Sequence, residues 1–291
     1  MGACAAGLVI ASAVFLSPST SNPAPVGGIV SLAPSVTEIL FGLGAGDRIT
    51  GATPYCNYPP EARDIPRVGD LGSPNLELLL SMQPELVIAA EFEHKNHPDI
   101  LRRAGIEVLI VPISNMDDVF NAIDVLGEIV HKTSEARELR RQLEDQLQQA
   151  RNLYQHVPPE NRPRVYIEVA PRPIMTIGRR SFVHDIIELA GGVNVAGDID
   201  SSYPVVSPEM VVQWNPDVML VGSMTPQSDA SALSGRIGWS GIKALRTGRV
   251  INDLSPDLYL RPGPRLATGV LELARRLYPP QYPGDGEPSH D

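Results

Sequence analysis

The chain has 291 residues, of which 43% are hydrophobic and 20% charged, enough for a sizeable core and too long for a small disulfide-stapled scaffold. A formal net charge of -10 disfavours phosphate backbones and anionic lipid surfaces as partners, so no nucleic-acid role is expected. Twenty-eight prolines, near twice the usual ~5%, indicate stiff connections between ordered elements.

Residues 5–16 (AAGLVIASAVFL) carry no charge and lead into a small, polar, proline-rich stretch. Residues 1–25 therefore have the form of a signal peptide or N-terminal anchor, and an extracytoplasmic location is expected. Cys4 precedes the apolar run, which does not suit a lipoprotein's polar tether. With the leader removed, Cys56 is the remaining thiol. Its neighbours include no His or basic group to lower its pKa, so it is expected to be buried as a small apolar residue.

From Ile29 onward, β-rich runs alternate with amphipathic segments. Ile29–Leu32, Leu86–Ala90 and Val108–Val111 are continuous and apolar, the pattern of strands buried on both faces. Helices are predicted over Val36–Leu43, Leu76–Met82, Pro98–Ala104 and Met116–Val130. Ser35 stands three residues before Glu38, a capping-box spacing for the first helix. Gly42, Gly44 and Gly46 follow that helix rather than open it, and so predict a C-cap and turn instead of a dinucleotide fingerprint. Lys132–His156 lacks Pro and Gly and repeats apolar residues at Leu139, Leu143, Leu147 and Leu153, which predicts one long, stiff helix. After Pro163 the alternation restarts: strands at Arg164–Val169, Val218–Val221 and Val250–Ile251, helices at Phe182–Ala190, Glu209–Trp214 and Pro264–Leu277.

The halves rhyme. Ser73-Pro74-Asn75-Leu76-Glu77 leads to Pro84-Glu85-Leu86, and Ser207-Pro208-Glu209 leads to Pro216-Asp217-Val218; Glu209 and Pro216 follow Glu77 and Pro84 by the same 132 positions. A shared displacement indicates a duplicated unit. The predicted fold class is α/β: two Rossmann-like lobes with mostly parallel sheets (26–130 and 158–280), a connecting helix (131–157) and a disordered tail (281–291). Ligands of parallel sheets bind past the carboxyl ends of the strands, which places a cleft between the lobes. Candidate ligand contacts are Tyr55, Tyr58, Leu71 and residues 91–97, including Phe92, in the first lobe. In the second they are Arg172, Ser202, Tyr203, Asp257, Tyr259 and Arg261. Tyrosines offer flat apolar faces with a polar tip, suited to a large planar or macrocyclic ligand.

The runs IVSLAPSVTEIL, YCNYPPEAR, PNLELLLSMQPELVI, SFVHDIIELAGGVNV, YPVVSPEMV and RPGPRLATGVLELA together resemble the periplasmic binding proteins of ABC importers for vitamin B12, haem and ferric siderophores, most of all the cobalamin-binding branch. The resemblance covers Ile29–Pro279. It implies a monomeric capture protein that is not an enzyme and has no cofactor of its own. The transported ligand it implies is a metal chelate, cobalamin before haem or a ferric siderophore. It further implies that Glu77 and Glu209, one on each lobe, dock on the two subunits of a permease dimer. Physically, a repeated acid on related lobes suits a two-fold partner, and an Arg–carboxylate pair is directional.

Where cobalamin binders often carry tryptophans around the cleft, this sequence has Leu71, Ala90 and Tyr203; Trp214 and Trp239 are placed as packing residues. His94 and His97 could offer an axial imidazole to haem iron or cobalt, although two histidines do not make a metal site and a solvated loop is the plainer reading. Two other functional classes stay open at this point. One is a ligand-binding sensor or scaffold, since docking acids serve either role. The other is an α/β enzyme acting on a bound chelate, against which stands the lack of a P-loop, a G-x-S-x-G elbow or an H-E-x-x-H motif.

Overall fold

The structure is a computed structural model that describes residues 28–70, 73–90, 94–221 and 233–279. The expected leader and tail lie outside the described residues. In the first half, β1 (Ile29–Ser31) leads into α1 (Pro34–Gly42), followed by β2 (Ile49–Ala52) and a short antiparallel ladder of β3 (Gly69–Asp70) with β4 (Ser73–Pro74). Next come α2 (Leu76–Met82), β5 (Leu86–Ala89), α3 (His97–Arg103), β6 (Glu107–Ile110) and α4 (Met116–Ile129). β1, β2, β5 and β6 form one all-parallel sheet in the order β2-β1-β5-β6.

The second half repeats this plan. β7 (Arg164–Glu168) precedes a small ladder of β8 (Ala170–Pro171) with β9 (Ile174–Met175), then α6 (Phe182–Leu189), β10 (Val193–Asn194), α7 (Pro208–Trp214), β11 (Val218–Val221), α8 (Lys243–Arg246), β12 (Val250–Ile251) and α9 (Arg265–Leu277). Its parallel sheet runs β10-β7-β11-β12. Numbered within each sheet, both have the order 2-1-3-4.

Between the halves lies α5 (Thr133–Tyr154), 22 residues and so about 33 Å long at ~1.5 Å per residue. Ala136, Leu143, Ala150 and Tyr154 bury one face of it, packed on α4 of the first lobe and α9 of the second. A single apolar cluster accordingly runs through both lobes on the α5 side, joining Ile39, Val119 and Ile123 to Ile167, Ile187 and Val270. Each sheet buries its opposite face in a cluster of its own, around Leu79 and Leu101 in one lobe and Val211 and Trp239 in the other. Both faces are therefore covered, which is why the strands are largely apolar. No helix among the described residues is long and apolar enough to cross a membrane.

Two local expectations resolve differently. Gly44 adopts φ +68° past α1 and its N–H reaches Phe41 O, forming the expected glycine-rich stop. The capping box does not form. α1 begins earlier than expected, at Pro34 after Ala33, so Ser35 falls inside the first turn without a capping bond, and Glu38 turns to another partner described below.

Candidate functional site

At the carboxyl end of β2 the chain enters the loop Thr53–Tyr58, which places Tyr55 and Tyr58 on the surface at 46% and 44% exposure. Arg67 staples this loop from within its own lobe: its guanidinium donates to the backbone carbonyls of Thr53 (2.9 Å) and Cys56 (3.2 Å), and also to those of Ala62 and Arg63. Cys56 is buried beneath the loop as a free thiol, its Sγ 3.3 Å from Thr53 Oγ1.

The second lobe reaches this loop through the segment between β12 and α9. Gly269 of α9 lets that segment pack closely, because a Cβ there would lie 1.9 Å from Leu258 O. Arg261 forms an ion pair with Asp257 (2.9 Å) and also donates to Tyr55 O (3.2 Å) and Asn57 Oδ1 (2.8 Å). Four residues on, Arg265 makes a bidentate pair with Glu38 of α1 (2.8 and 2.6 Å) and stacks its guanidinium 4.0 Å over the Tyr58 ring. Burial pushes the Glu38 carboxyl above its ordinary range, and the two hydrogen bonds from Arg265 offset only part of that. Glu38, Phe41, Tyr58, Pro59, Gln146 and Arg265 help line a groove of about 670 Å³ that opens along this seam toward α5.

On the second lobe, Arg172 is exposed in the turn between β8 and β9. Residues 202–206 run alongside: Val205 bridges to Met175, and Thr176 N–H donates to Pro204 O (3.1 Å). Tyr203 on that segment is 41% exposed. The structure thus gathers Tyr55, Asp257 and Arg261 at one point of the interlobe seam, whereas Arg172 and Tyr203 lie apart on the second lobe, on opposite sides of the antiparallel bridge between Met175 and Val205. Leu71 and Phe92 lie outside the described residues.

Tyr259 requires a correction as a surface contact. Its ring is fully buried in the cluster shared by both lobes, and that burial pushes its hydroxyl upward in pKa. The turn at Pro256–Leu258 directs Asp257 outward and Tyr259 inward, an alternation that the apolar count alone does not reveal. His94 and His97 sit edge to face with ring centroids 4.7 Å apart. No group of three or more potential metal ligands forms among the described residues. Trp239 is fully buried and packs edge to face with Tyr166, as expected of a packing residue.

Glu77 and Glu209 occupy matching places in the first turns of α2 and α7, and both are exposed. Each helix is capped by the side chain before it, Asn75 accepting from Leu78 N–H and Ser207 from Met210 N–H. Each also ends in a left-handed residue, Gln83 (φ 46°) and Asn215 (φ 45°). Hydrogen bonds from its own backbone N–H and from Ser207 hold the Glu209 carboxyl below its ordinary range, and the acid is charged at neutral pH.

Sequence reasoning missed Glu38, Asn57, Arg67 and Arg265 as organisers of the site. The signal available was the pair Arg261 and Arg265, four apart around Pro-Gly-Pro: two long cations at the mouth of a helix need carboxylates, carbonyls or rings to receive them.

This fold has known counterparts. An ABC transporter substrate-binding lipoprotein of Bacillus subtilis (strain 168), YvrC, named as uncharacterised, is 34% identical over 259 residues, spanning 87% of this chain and 81% of the relative. The vitamin B12-binding protein of Vibrio cholerae serotype O1 is 28% identical over 279 residues, 93% of this chain and 96% of that protein. Among solved structures, the periplasmic heme-binding protein RhuT from Roseiflexus sp. RS-1, in its apo form, matches with a TM-score of 0.76 at 28% identity, covering 87% of this chain and 98% of that one. A family model described as periplasmic binding protein matches residues 29–256, and with that span the chain belongs to the periplasmic binding protein family.

Proposed function

We propose that the protein is the extracytoplasmic substrate-binding component of an ABC importer, that it captures a corrinoid, and that it delivers this ligand to a two-subunit permease through Glu77 and Glu209. The observation that carries the reading is the pair of exposed tyrosines, Tyr55 and Tyr203, one on each lobe beside the strand ends. Two flat amphipathic rings suit a broad macrocycle, with Arg172 available to its polar rim. The relatives support it: one is a substrate-binding lipoprotein, one is a vitamin B12-binding protein and one solved structure is of a heme-binding protein. A corrinoid can bring its own axial ligands, so it asks of the protein only surfaces and hydrogen bonds. Haem binding would more often recruit a side chain to the iron, which makes haem the next candidate.

Absorbance and calorimetric titration of the leaderless protein with cyanocobalamin, haemin and several ferric siderophores tests the assignment. Saturable one-to-one binding of cyanocobalamin is expected, weakened about 5- to 30-fold by Tyr55→Ala or Tyr203→Ala, in line with loss of one large aromatic contact. Preference for haemin or a siderophore would replace the ligand but keep the class, whereas binding of none of them would remove both. Ligand-dependent stimulation of a partner ATPase separates delivery from sensing.

A further inference from the structure

We propose that Arg261 is an interlobe positioning residue: from the second lobe it fixes the loop of the first lobe that carries Tyr55, so that one wall of the cleft is assembled by both lobes. The inference rests on the reading of Tyr55 as a ligand-facing side chain. It follows from how the loop is tied down. Arg67 secures the loop at Thr53 and Cys56 from its own lobe. The tip is bound differently, since Arg261 donates one nitrogen to both Tyr55 O and Asn57 Oδ1 while its Nε is held by Asp257. Tyr55 and Asn57 lie more than 200 positions from Arg261 in sequence, so their contact with it exists only while the lobes keep their present relation. Arg265 repeats the arrangement one turn on, joining Glu38 and the Tyr58 ring. The lobes also approach closely here, a Cβ on Gly263 falling 3.4 Å from Ser35 Cα.

A lysine at 261 could meet one of these acceptors but not hold the planar fork that serves carboxylate, carbonyl and amide together. Separation of the lobes therefore releases the loop tip, and the aromatic wall loosens as the cleft opens. Arg261 acts on the ligand through Tyr55 in this arrangement.

Cys56 provides a reporter that needs no ligand. It is 1% exposed and lies between the two residues whose atoms Arg261 holds. In a Cys4→Ser background, so that Cys56 is the sole thiol, labelling by N-ethylmaleimide measures opening of the loop. Arg261→Ala is expected to speed labelling roughly tenfold or more, the order associated with losing charge-assisted hydrogen bonds, and Arg261→Lys to restore part of the protection. The acceleration should persist without added dependence on low urea concentrations, the mark of local rather than global opening. Unchanged labelling, or a rise that merely tracks lowered global stability, would overturn the proposal. Cyanocobalamin titration of the same variants separates the two readings. Faster labelling with weakened binding supports both, while faster labelling with unaltered binding leaves the loop tethered by Arg261 but removes Tyr55 from the ligand wall.

Discussion

The central strands of the two sheets can be compared residue by residue, because β1 and β7 pair with equivalent positions of β5 and β11. Ile29 lies opposite Leu86 and Val165 opposite Val218, and continuing in step sets Leu32 against Glu168. In the first lobe this place is filled by an aliphatic side chain at 1% exposure. In the second it holds a carboxylate at 0% exposure. Glu168 is clasped in two-point fashion by Arg236, whose guanidinium lies 4.4 Å over the Trp239 ring, and Tyr166 donates its hydroxyl at 3.4 Å. The Tyr166 position is Val30 in the sister strand. Duplication has kept the strand order, the helix caps and the acid on each outer helix, but not the chemistry at the carboxyl edge of the sheet. A carboxyl group stands where the sister strand has an aliphatic side chain, and it does so in company with a cation, a ring and a hydroxyl, as a buried acid requires.

The largest effect expected from that difference is at Arg236. Arg236→Ala leaves Glu168 uncompensated inside the lobe and should lower stability by about 3–5 kcal/mol in urea unfolding. Replacing the pair together, Glu168→Leu with Arg236→Met, recreates the aliphatic edge of the first lobe and should recover most of that loss. A small cost for the single substitution would mean that water already solvates the carboxylate, and the contrast between the lobes would then be one of sequence only.

The outer helices sharpen the comparison from the opposite side, since there the lobes are alike. If Glu77 and Glu209 meet equivalent subunits of a two-fold permease, Glu77→Lys and Glu209→Lys should each reduce ligand uptake about tenfold, ~1.4 kcal/mol of docking per site. The double reversal should abolish uptake. Affinity for the ligand, measured by titration of the isolated protein, should stay nearly constant in all three. A marked loss of affinity would place the acids in the cleft, and a strongly unequal pair of single effects would mean that the partner is not symmetrical.

Much of this architecture was legible because the buried strands are unbroken apolar runs. Val218–Val221 and Val250–Ile251 match the expected strands residue for residue, and α2 matches its expected helix. The edge strands β2 and β10 escaped notice for a physical reason. ITGA is interrupted by a threonine and a glycine, and Val193–Asn194 follows two glycines and ends on a polar residue, so neither offers the continuous apolar run that marks the other strands. The exposed acids and tyrosines were recoverable from spacing and strand ends. The pair of Glu38 with Arg265 was not, since its partners are 227 positions apart and local pattern assigned Glu38 to a capping box. Tyr259 was misplaced on the surface for the same reason: a 3-10 turn at Pro256–Leu258 reverses which neighbours face inward, and no periodicity announces it.

The smallest expected effect concerns the caps. Asn75→Ala and Ser207→Ala each remove the acceptor for an orphan helix N–H, and each should cost about 1 kcal/mol at neutral pH. Their pH dependence should differ. The Asn75–Leu78 bond involves no titrating group, so its contribution should hold as the solution is acidified. The Glu209 carboxyl in the same turn is held below its ordinary range, first by its own backbone N–H and then by the Ser207 hydroxyl. A depressed carboxyl stabilises the folded state above its unfolded value near 4.5 and loses that contribution as pH falls through its lower folded value. The gap between wild type and Ser207→Ala should therefore narrow on acidification below about pH 4.5, whereas the gap for Asn75→Ala should not. Because Glu209 is fully exposed, added salt should weaken the acid-sensitive part while leaving the cap itself. Parallel curves for the two variants would show that the hydroxyl serves only the backbone.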